Sequence, residues 1–137
     1  MKGWKIVAPS QIEGHEIIES PESSTLSKVK ITKALISLSD VLTFKGESDY
    51  NDVILGKAGI GIVSETETNL FGLEKGQHVY VEPYKQCNEC YNCKSGNTNK
   101  CLNFQIAGED YNGFLSDFTA VSSDRLFVLP ESVPDLE

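Results

Sequence analysis

Residues 87–101, CNECYNCKSGNTNKC, contain every cysteine of this 137-residue chain, at Cys87, Cys90, Cys93 and Cys101. The spacing is C-x2-C-x2-C-x7-C. Four thiolates held this closely can complete a tetrahedral shell around one zinc ion, and such a shell leaves no position open for a substrate. The stretch therefore predicts a structural metal site that binds one zinc per chain through these four cysteines.

Two other readings of the cysteines need different surroundings. A pair of disulfides needs an oxidising compartment, but the N-terminus, MKGWKIVAPS, has no apolar run long enough for a signal peptide. Ferredoxin clusters also use successive C-x2-C steps, but there the fourth cysteine comes sooner and proline follows it. Here Leu102 follows the last cysteine. Zinc is favoured, while a cluster or unligated thiols stay open.

Lysines flank the ligands, at Lys85, Lys94 and Lys100. Positive charge favours the thiolate over the thiol, although a solvated loop face explains the same lysines equally well. A loop this short and polar has almost no core of its own. Metal binding is therefore expected to contribute to its folding.

Composition limits the class of protein and its partners. The length indicates one domain, and the 39% of hydrophobic residues suffices for a modest core. The net charge of −8, from 12 basic and 20 acidic residues, argues against nucleic acid or an anionic membrane as partner. Reduced cysteines without a targeting segment indicate the cytoplasm.

Short alternating or apolar segments recur along the chain and predict β-strands at 5–8, 14–19, 27–35, 59–64, 78–82, 117–121 and 125–129. In the third segment Val29 and Ile31 alternate with lysines. The only helical turn expected follows Ser37 and runs to Phe44. Many short strands with turn signals between them indicate an antiparallel barrel or sandwich.

A fixed order of motifs adds a family resemblance. The motifs are ISLSD at 36–40, VILG at 53–56, GIV at 61–63, KGQHV at 75–79, the cysteine stretch, NGFLSDF at 112–118 and LPESV at 129–133. This order resembles the N-terminal, GroES-like catalytic domain of the zinc-containing medium-chain alcohol dehydrogenases. The resemblance implies a mainly β fold over residues 1–137, a partly open antiparallel β-barrel with a short zinc-binding lobe at 84–103. In that family a Rossmann cofactor domain follows, and we expect it to be absent from this chain.

The resemblance also implies a second, catalytic zinc, whose ligand positions are changed here. The family's cysteine ligand corresponds to Ser37, and its Gly-His-Glu triplet corresponds to Gly56, Lys57 and Ala58. A hydroxyl is a poor zinc ligand, a protonated lysine repels the metal, and alanine has no donor atom. The expectation is that the catalytic zinc is lost.

Three glycine or histidine patterns imitate functional motifs. Gly14-His15-Glu16 matches the missing triplet but lies upstream of its place, in a predicted surface strand. His78 is interpreted as a strand residue rather than a ligand. The glycines at 56, 59 and 61 reverse the dinucleotide-binding order, so close backbone packing is preferred.

Two hypotheses of function follow from the resemblance. In the first, the full-length parent transfers hydride between NAD or NADP and an alcohol, carbonyl or related small molecule. Lys57 then polarises the substrate oxygen in place of zinc, Ser39 passes a proton, and Ser37 adds a hydrogen bond. Two non-catalytic interpretations of Lys57 stay open: it is a solvated lysine, or it forms an ion pair with Asp40. The isolated domain is expected to be inactive, and the parent is a candidate homo-oligomer.

The second hypothesis is a non-catalytic, zinc-stapled module for binding or oligomerisation. Electron transfer through an iron–sulfur cluster at the cysteines is the least favoured alternative. A nucleotide-binding domain in the parent would favour the first hypothesis over the second, and visible colour would identify a cluster.

Overall fold

Short strands build most of the domain, and a computed structural model describes them over residues 2–16, 26–49, 51–66 and 71–133. Within these ranges the strands are β1 (Lys2–Ala8), β2 (Gln11–Glu16), β3 (Leu26–Leu35), β4 (Ala58–Thr66), β5 (His78–Val81), β6 (Tyr84–Lys85), β7 (Gln105–Ile106), β8 (Phe118–Ser122) and β9 (Leu126–Val128). Two helices, α1 (Leu38–Lys45) and α2 (Tyr91–Lys94), and short 3-10 turns complete the described elements.

The central sheet is antiparallel, with the strand order β8-β3-β4-β5-β9. Two further pairs, β1 with β2 and β6 with β7, form separate two-stranded sheets. Among the described residues the sheets do not close into a barrel. The prediction of a mainly β, partly open antiparallel architecture is confirmed.

The core lies against the central sheet and is built from side chains that alternate along its strands. Val29, Val79 and Val81 are fully buried, and Phe114 packs with them although it lies in a loop. Burying a side chain of this size stabilises a fold by about 1.5–3 kcal/mol. The loop around Phe114 is thereby fixed against the beginning of β4.

Most predicted strands are present with shifted ends. The predicted strand at 14–19 is observed as β2, which begins at Gln11, and positions 17–19 lie outside the described residues. The helical turn predicted after Ser37 is observed as α1, but the prediction that it is the only one is wrong, because α2 lies inside the cysteine lobe. Four residues are too few to show a helical period, so the sequence carried no signal for this turn.

Helix α1 has well-defined ends that fix the segment after β3. Ser37 is the N-cap: its side chain accepts a hydrogen bond from the Asp40 amide, and the Asp40 carboxylate accepts one from the Ser37 amide. This reciprocal capping box satisfies two amides that the helix leaves unpaired. Gly46 ends the helix in the left-handed region, at a φ of 78°. In the described part of the chain, neither helix has the length and apolarity required to cross a membrane.

Candidate functional site

The four cysteines converge in the lobe between β6 and β7. Their sulfur atoms all lie within 4.8 Å of one another, and each side chain is half-buried. The Cys90 amide points to Cys87 Sγ at 3.4 Å, and the Cys87 amide points to Cys101 Sγ at 3.3 Å. The backbone of the lobe thus directs N–H groups at the sulfurs, which stabilises thiolates.

The geometry of the sulfurs fits a zinc ion. Tetrahedral coordination with Zn–S bonds of about 2.3 Å places sulfur atoms roughly 3.8 Å apart. Cys87 Sγ lies 3.5 Å from Cys101 Sγ and 4.0 Å from Cys93 Sγ. All four thiols are free rather than joined in disulfides. The donor set and its spacing therefore suit zinc held by thiolates alone.

Charge within the lobe is unevenly distributed among the thiols. The pKa of Cys87 is lowered to about 6, first by the backbone amide of Glu89 and then by that of Cys90. The pKa of Cys93 is raised, mainly because removal from water penalises its thiolate. Four adjacent thiolates repel one another, so a bound cation is needed before all four can be charged together.

A second polar cluster lies where β3, α1 and the start of β4 meet. Ser37 Oγ is 2.8 Å from Ser39 Oγ, and Ser37 Oγ also donates to Asp40 Oδ2 at 2.8 Å. Asp40 is buried, and its other oxygen, Oδ1, accepts a hydrogen bond from the Gly56 amide. The structure therefore brings Ser37 and Ser39 together, next to the backbone that leads into Lys57.

Lys57 pairs with a residue that the sequence did not identify. Its Nζ lies 2.7 Å from Glu109 Oε1, and only 12% of the Lys57 side chain is exposed. Apart from this ion pair, the buried ammonium has no hydrogen-bond partner among the described residues. Both earlier alternatives are wrong: Lys57 is not solvated, and it does not pair with Asp40, whose oxygens already accept from Ser37 and Gly56.

The electrostatics of Glu109 are dominated by Lys57. The pKa of Glu109 is lowered, first by its interaction with Lys57 and in smaller measure by the Ser39 hydroxyl, while desolvation opposes the shift. Glu109 belongs to a tight turn far downstream of α1. No local motif marks it, because only the folded arrangement brings the turn to Lys57.

The ligand positions implied by the resemblance do not fit a catalytic zinc. Ser37 supplies a hydroxyl already bonded to Asp40, Lys57 supplies an ammonium, and Ala58 supplies a methyl group at the start of β4. None of these is a good donor to zinc. An internal cation lies where the resemblance places a metal ligand.

The histidines and glycines that resemble functional motifs lie outside both clusters. His15 lies in β2, 3.9 Å from a carboxylate oxygen of Glu13, and His78 begins β5. The glycine at 61 serves close packing as predicted, because a Cβ there would overlap the carbonyl oxygen of Lys30 on the neighbouring strand. Among the described residues, the four cysteines are the one group of three or more potential metal ligands.

The Lys57–Glu109 pair predicts a specific pH dependence of stability. Because the pKa of Glu109 is lowered in the folded protein, the pair stabilises the fold above the ordinary value of 4.5 and loses this contribution as the pH falls through the lowered pKa. Glu109 is 46% exposed, so we expect a contribution of at most about 1 kcal/mol. Urea unfolding at several pH values between neutral and acidic measures it.

The comparison for that experiment is Lys57→Met, which should show a shallower loss of stability in acid than the unaltered chain. Acid also protonates the cysteines, but this effect is common to both proteins and cancels in the difference. Lys33→Met, at an exposed lysine of β3, is the control for loss of positive charge. Parallel pH curves for Lys57→Met and the unaltered chain would contradict the prediction.

The antiparallel sheet and the four-cysteine lobe together define the N-terminal domain of zinc-dependent, alcohol dehydrogenase-like oxidoreductases. The chain belongs to the alcohol dehydrogenase GroES-like domain family, whose sequence profile matches residues 24–131. Among its relatives, the class-3 alcohol dehydrogenase of Drosophila melanogaster is 32% identical over 105 residues, which are 75% of this chain and 27% of the relative.

Solved structures agree with this fold. Galactitol-1-phosphate dehydrogenase from Escherichia coli superposes with a TM-score of 0.84 at 23% identity. The alignment covers 98% of this chain and 39% of the dehydrogenase chain. The short chain alcohol dehydrogenase rspB from E. coli CFT073, complexed with the cofactor NADH, gives a TM-score of 0.84 at 27% identity. The alignment covers 98% of this chain and 40% of the rspB chain. The chain therefore spans less than half the length of these proteins.

Proposed function

We propose that this chain is the N-terminal domain of a longer oxidoreductase that transfers hydride between NAD or NADP and an alcohol, carbonyl or related small molecule. The whole of residues 1–137 forms the GroES-like domain, and residues 84–103 form its lobe. The four cysteines hold one structural zinc, and no catalytic zinc binds. Support comes from the family match and from the dehydrogenases that share the fold.

The observation that carries this proposal is the buried, ion-paired ammonium of Lys57. The preceding residue, Gly56, donates its amide to Asp40, which belongs to the cluster of Ser37 and Ser39. In a site closed to water, a fixed positive charge stabilises negative charge that develops on a substrate oxygen. Lys57 therefore orients the oxygen and donates to it. Ser39 holds or passes the proton of that oxygen, and Ser37 keeps Ser39 in place through the bond between their hydroxyls.

The nicotinamide cofactor supplies or accepts the hydride when it is bound. The described strands of this chain pair antiparallel within their sheets, so they form no βαβ unit of the kind that binds dinucleotides. We place the cofactor domain in the remainder of the parent, and we expect residues 1–137 alone to be inactive. Free thiols fit a reducing, cytoplasmic location, and a homo-oligomer is proposed by analogy with the family.

In the full-length parent, Lys57→Met is expected to lower kcat for carbonyl reduction by about 100-fold or more, as removal of one oxyanion donor does in other enzymes. Reduction of a panel of aldehydes and ketones, followed by oxidation of NADH or NADPH, measures the effect. Lys33→Met is the matched control and should retain full activity. Full activity of Lys57→Met would exclude the proposed role of this ammonium.

A non-catalytic module is the second candidate, and the Lys57–Glu109 pair favours it. A carboxylate 2.7 Å from the ammonium neutralises the charge that would otherwise act on a substrate. On this interpretation the zinc lobe and the sheet serve binding or oligomerisation rather than catalysis. A parent that binds neither NADH nor NADPH in calorimetry would support this candidate and would contradict the first.

A further inference from the structure

The turn that carries Glu109 is anchored independently of its side chain. The Gly108 amide donates to the Tyr111 carbonyl at 2.7 Å, and the Glu109 amide donates to the Ile106 carbonyl at 3.2 Å. Asn51 Nδ2 donates to the backbone carbonyl of Glu109 at 2.7 Å. These bonds hold the backbone of Glu109 in place, so its carboxylate has a fixed position from which to reach Lys57. The cluster of Ser37, Ser39, Asp40, Lys57 and Glu109 is here called the cleft.

The backbone of Lys57, on the other side of the ion pair, is also held by a hydrogen bond. Its amide donates to the carbonyl of Leu35 at 2.9 Å, next to the segment that leads into α1. The side chain is nearly buried and its Nζ is shielded from solvent. A buried ammonium without a partner is strongly unfavourable, so its position depends on the carboxylate that faces it.

Among the described residues, Glu109 is the carboxylate that can meet this need. Asp40 also lies at the cleft, but its oxygens accept bonds from Ser37 and Gly56. The Glu109 carboxylate faces the cation that the proposed reaction requires, with 2.7 Å between Glu109 Oε1 and Lys57 Nζ.

We propose that Glu109 is the positioning residue of the cleft, whose carboxylate keeps the Lys57 ammonium buried. The chain thus carries a built-in cation where the family resemblance places a metal ligand. The catalytic consequence rests on the function proposed above, whereas the contact can be tested on this chain alone. Without Glu109 the ammonium leaves the cleft for solvent, because its four-carbon stem is flexible.

The test measures how fast Lys57 is acetylated in the native 137-residue chain. The zinc-loaded protein is treated with a limiting amount of an N-hydroxysuccinimide ester of acetate, and peptide mass spectrometry gives the rate at each lysine. Lys5 is the internal reference, because it forms a comparable pair with Asp52, 2.9 Å away, at a separate site. The quantity of interest is the rate at Lys57 divided by the rate at Lys5.

This ratio is expected to rise at least fivefold in Glu109→Gln. It should rise less in Glu109→Asp, which keeps the charge but shortens its reach. In the matched control, Asp52→Asn, the ratio should fall because Lys5 is released instead. A general loosening of the fold would raise the rates at both lysines together and would leave the ratio near that of the unaltered chain.

A ratio that stays within twofold of the unaltered chain in both Glu109 variants would overturn the positioning role. That result would leave the proposed function standing, since Lys57 could act without Glu109. Conversely, a raised ratio together with a fully active Lys57→Met parent would confirm the contact and reject the catalytic role proposed for Lys57. The two claims therefore fail separately.

Discussion

Replacement of Cys90 by serine is expected to remove most of the bound zinc and to lower the melting temperature by roughly 10 °C. Cys90 is central to the lobe, because it is both a predicted ligand and the N-cap residue of α2. A serine hydroxyl binds zinc much more weakly than a thiolate. Three remaining thiolates leave an open position, and the polar lobe has little packing to replace the lost metal bond.

Elemental analysis after dialysis and a thermal melt measure the two effects. Every cysteine of the chain is a predicted ligand, so the control must come from another residue of the lobe. Leu102→Ala is suitable, because Leu102 is 74% exposed and adjoins the last cysteine. It should keep its zinc and melt normally. If Cys90→Ser retains the metal content and melting temperature of the unaltered chain, the four cysteines do not form a structural zinc site.

Gly113→Ala is expected to destabilise the fold by about 3 kcal/mol or more. A Cβ at this position would overlap the carbonyl oxygen of Gly56 and lie 2.5 Å from that of Leu55. Neither carbonyl can retreat easily, because they accept hydrogen bonds from Phe114 and Leu115. The methyl group must therefore push apart the loop and the segment that precedes Lys57.

Urea unfolding of the zinc-loaded protein measures this change. Gly14→Ala provides the matched control, since a Cβ there would meet the ring of Trp4 at an ordinary 3.4 Å. It should alter the free energy of unfolding by less than about 0.5 kcal/mol. Equal stability of the two alanine variants would show that the loop and the Gly56 segment are packed less closely than described.

The parts of the fold that depend on local sequence could be predicted. The spacing of Cys87, Cys90 and Cys93 predicted that their thiols lie close together, because the loops between them are short, and the structure brings them together with Cys101. Alternation of apolar residues likewise predicted β3, in which Val29 is fully buried. Strand ends were less accurate, since pairing with neighbouring strands sets where each strand stops.

The cleft could be predicted only in part, for a physical reason. Ser37 and Ser39 are neighbours in sequence and share a capped helix end, so their proximity follows from local geometry. The partner of Lys57 is decided by the turn that folds against β4, and no local pattern encodes that contact. Asp40 was a reasonable partner from sequence, but the capping box and the Gly56 amide occupy its oxygens.

The most direct test of the central claim is the zinc content of the purified, unaltered chain, determined by elemental analysis together with protein concentration. We predict one zinc per chain, bound by the four cysteines, with the Lys57 cleft free of metal. Two zinc ions per chain would contradict this account, because the cleft of Ser37, Lys57 and Glu109 would then have to bind the second. A chain that carries no zinc, and takes up none when its thiols are reduced, would contradict it equally.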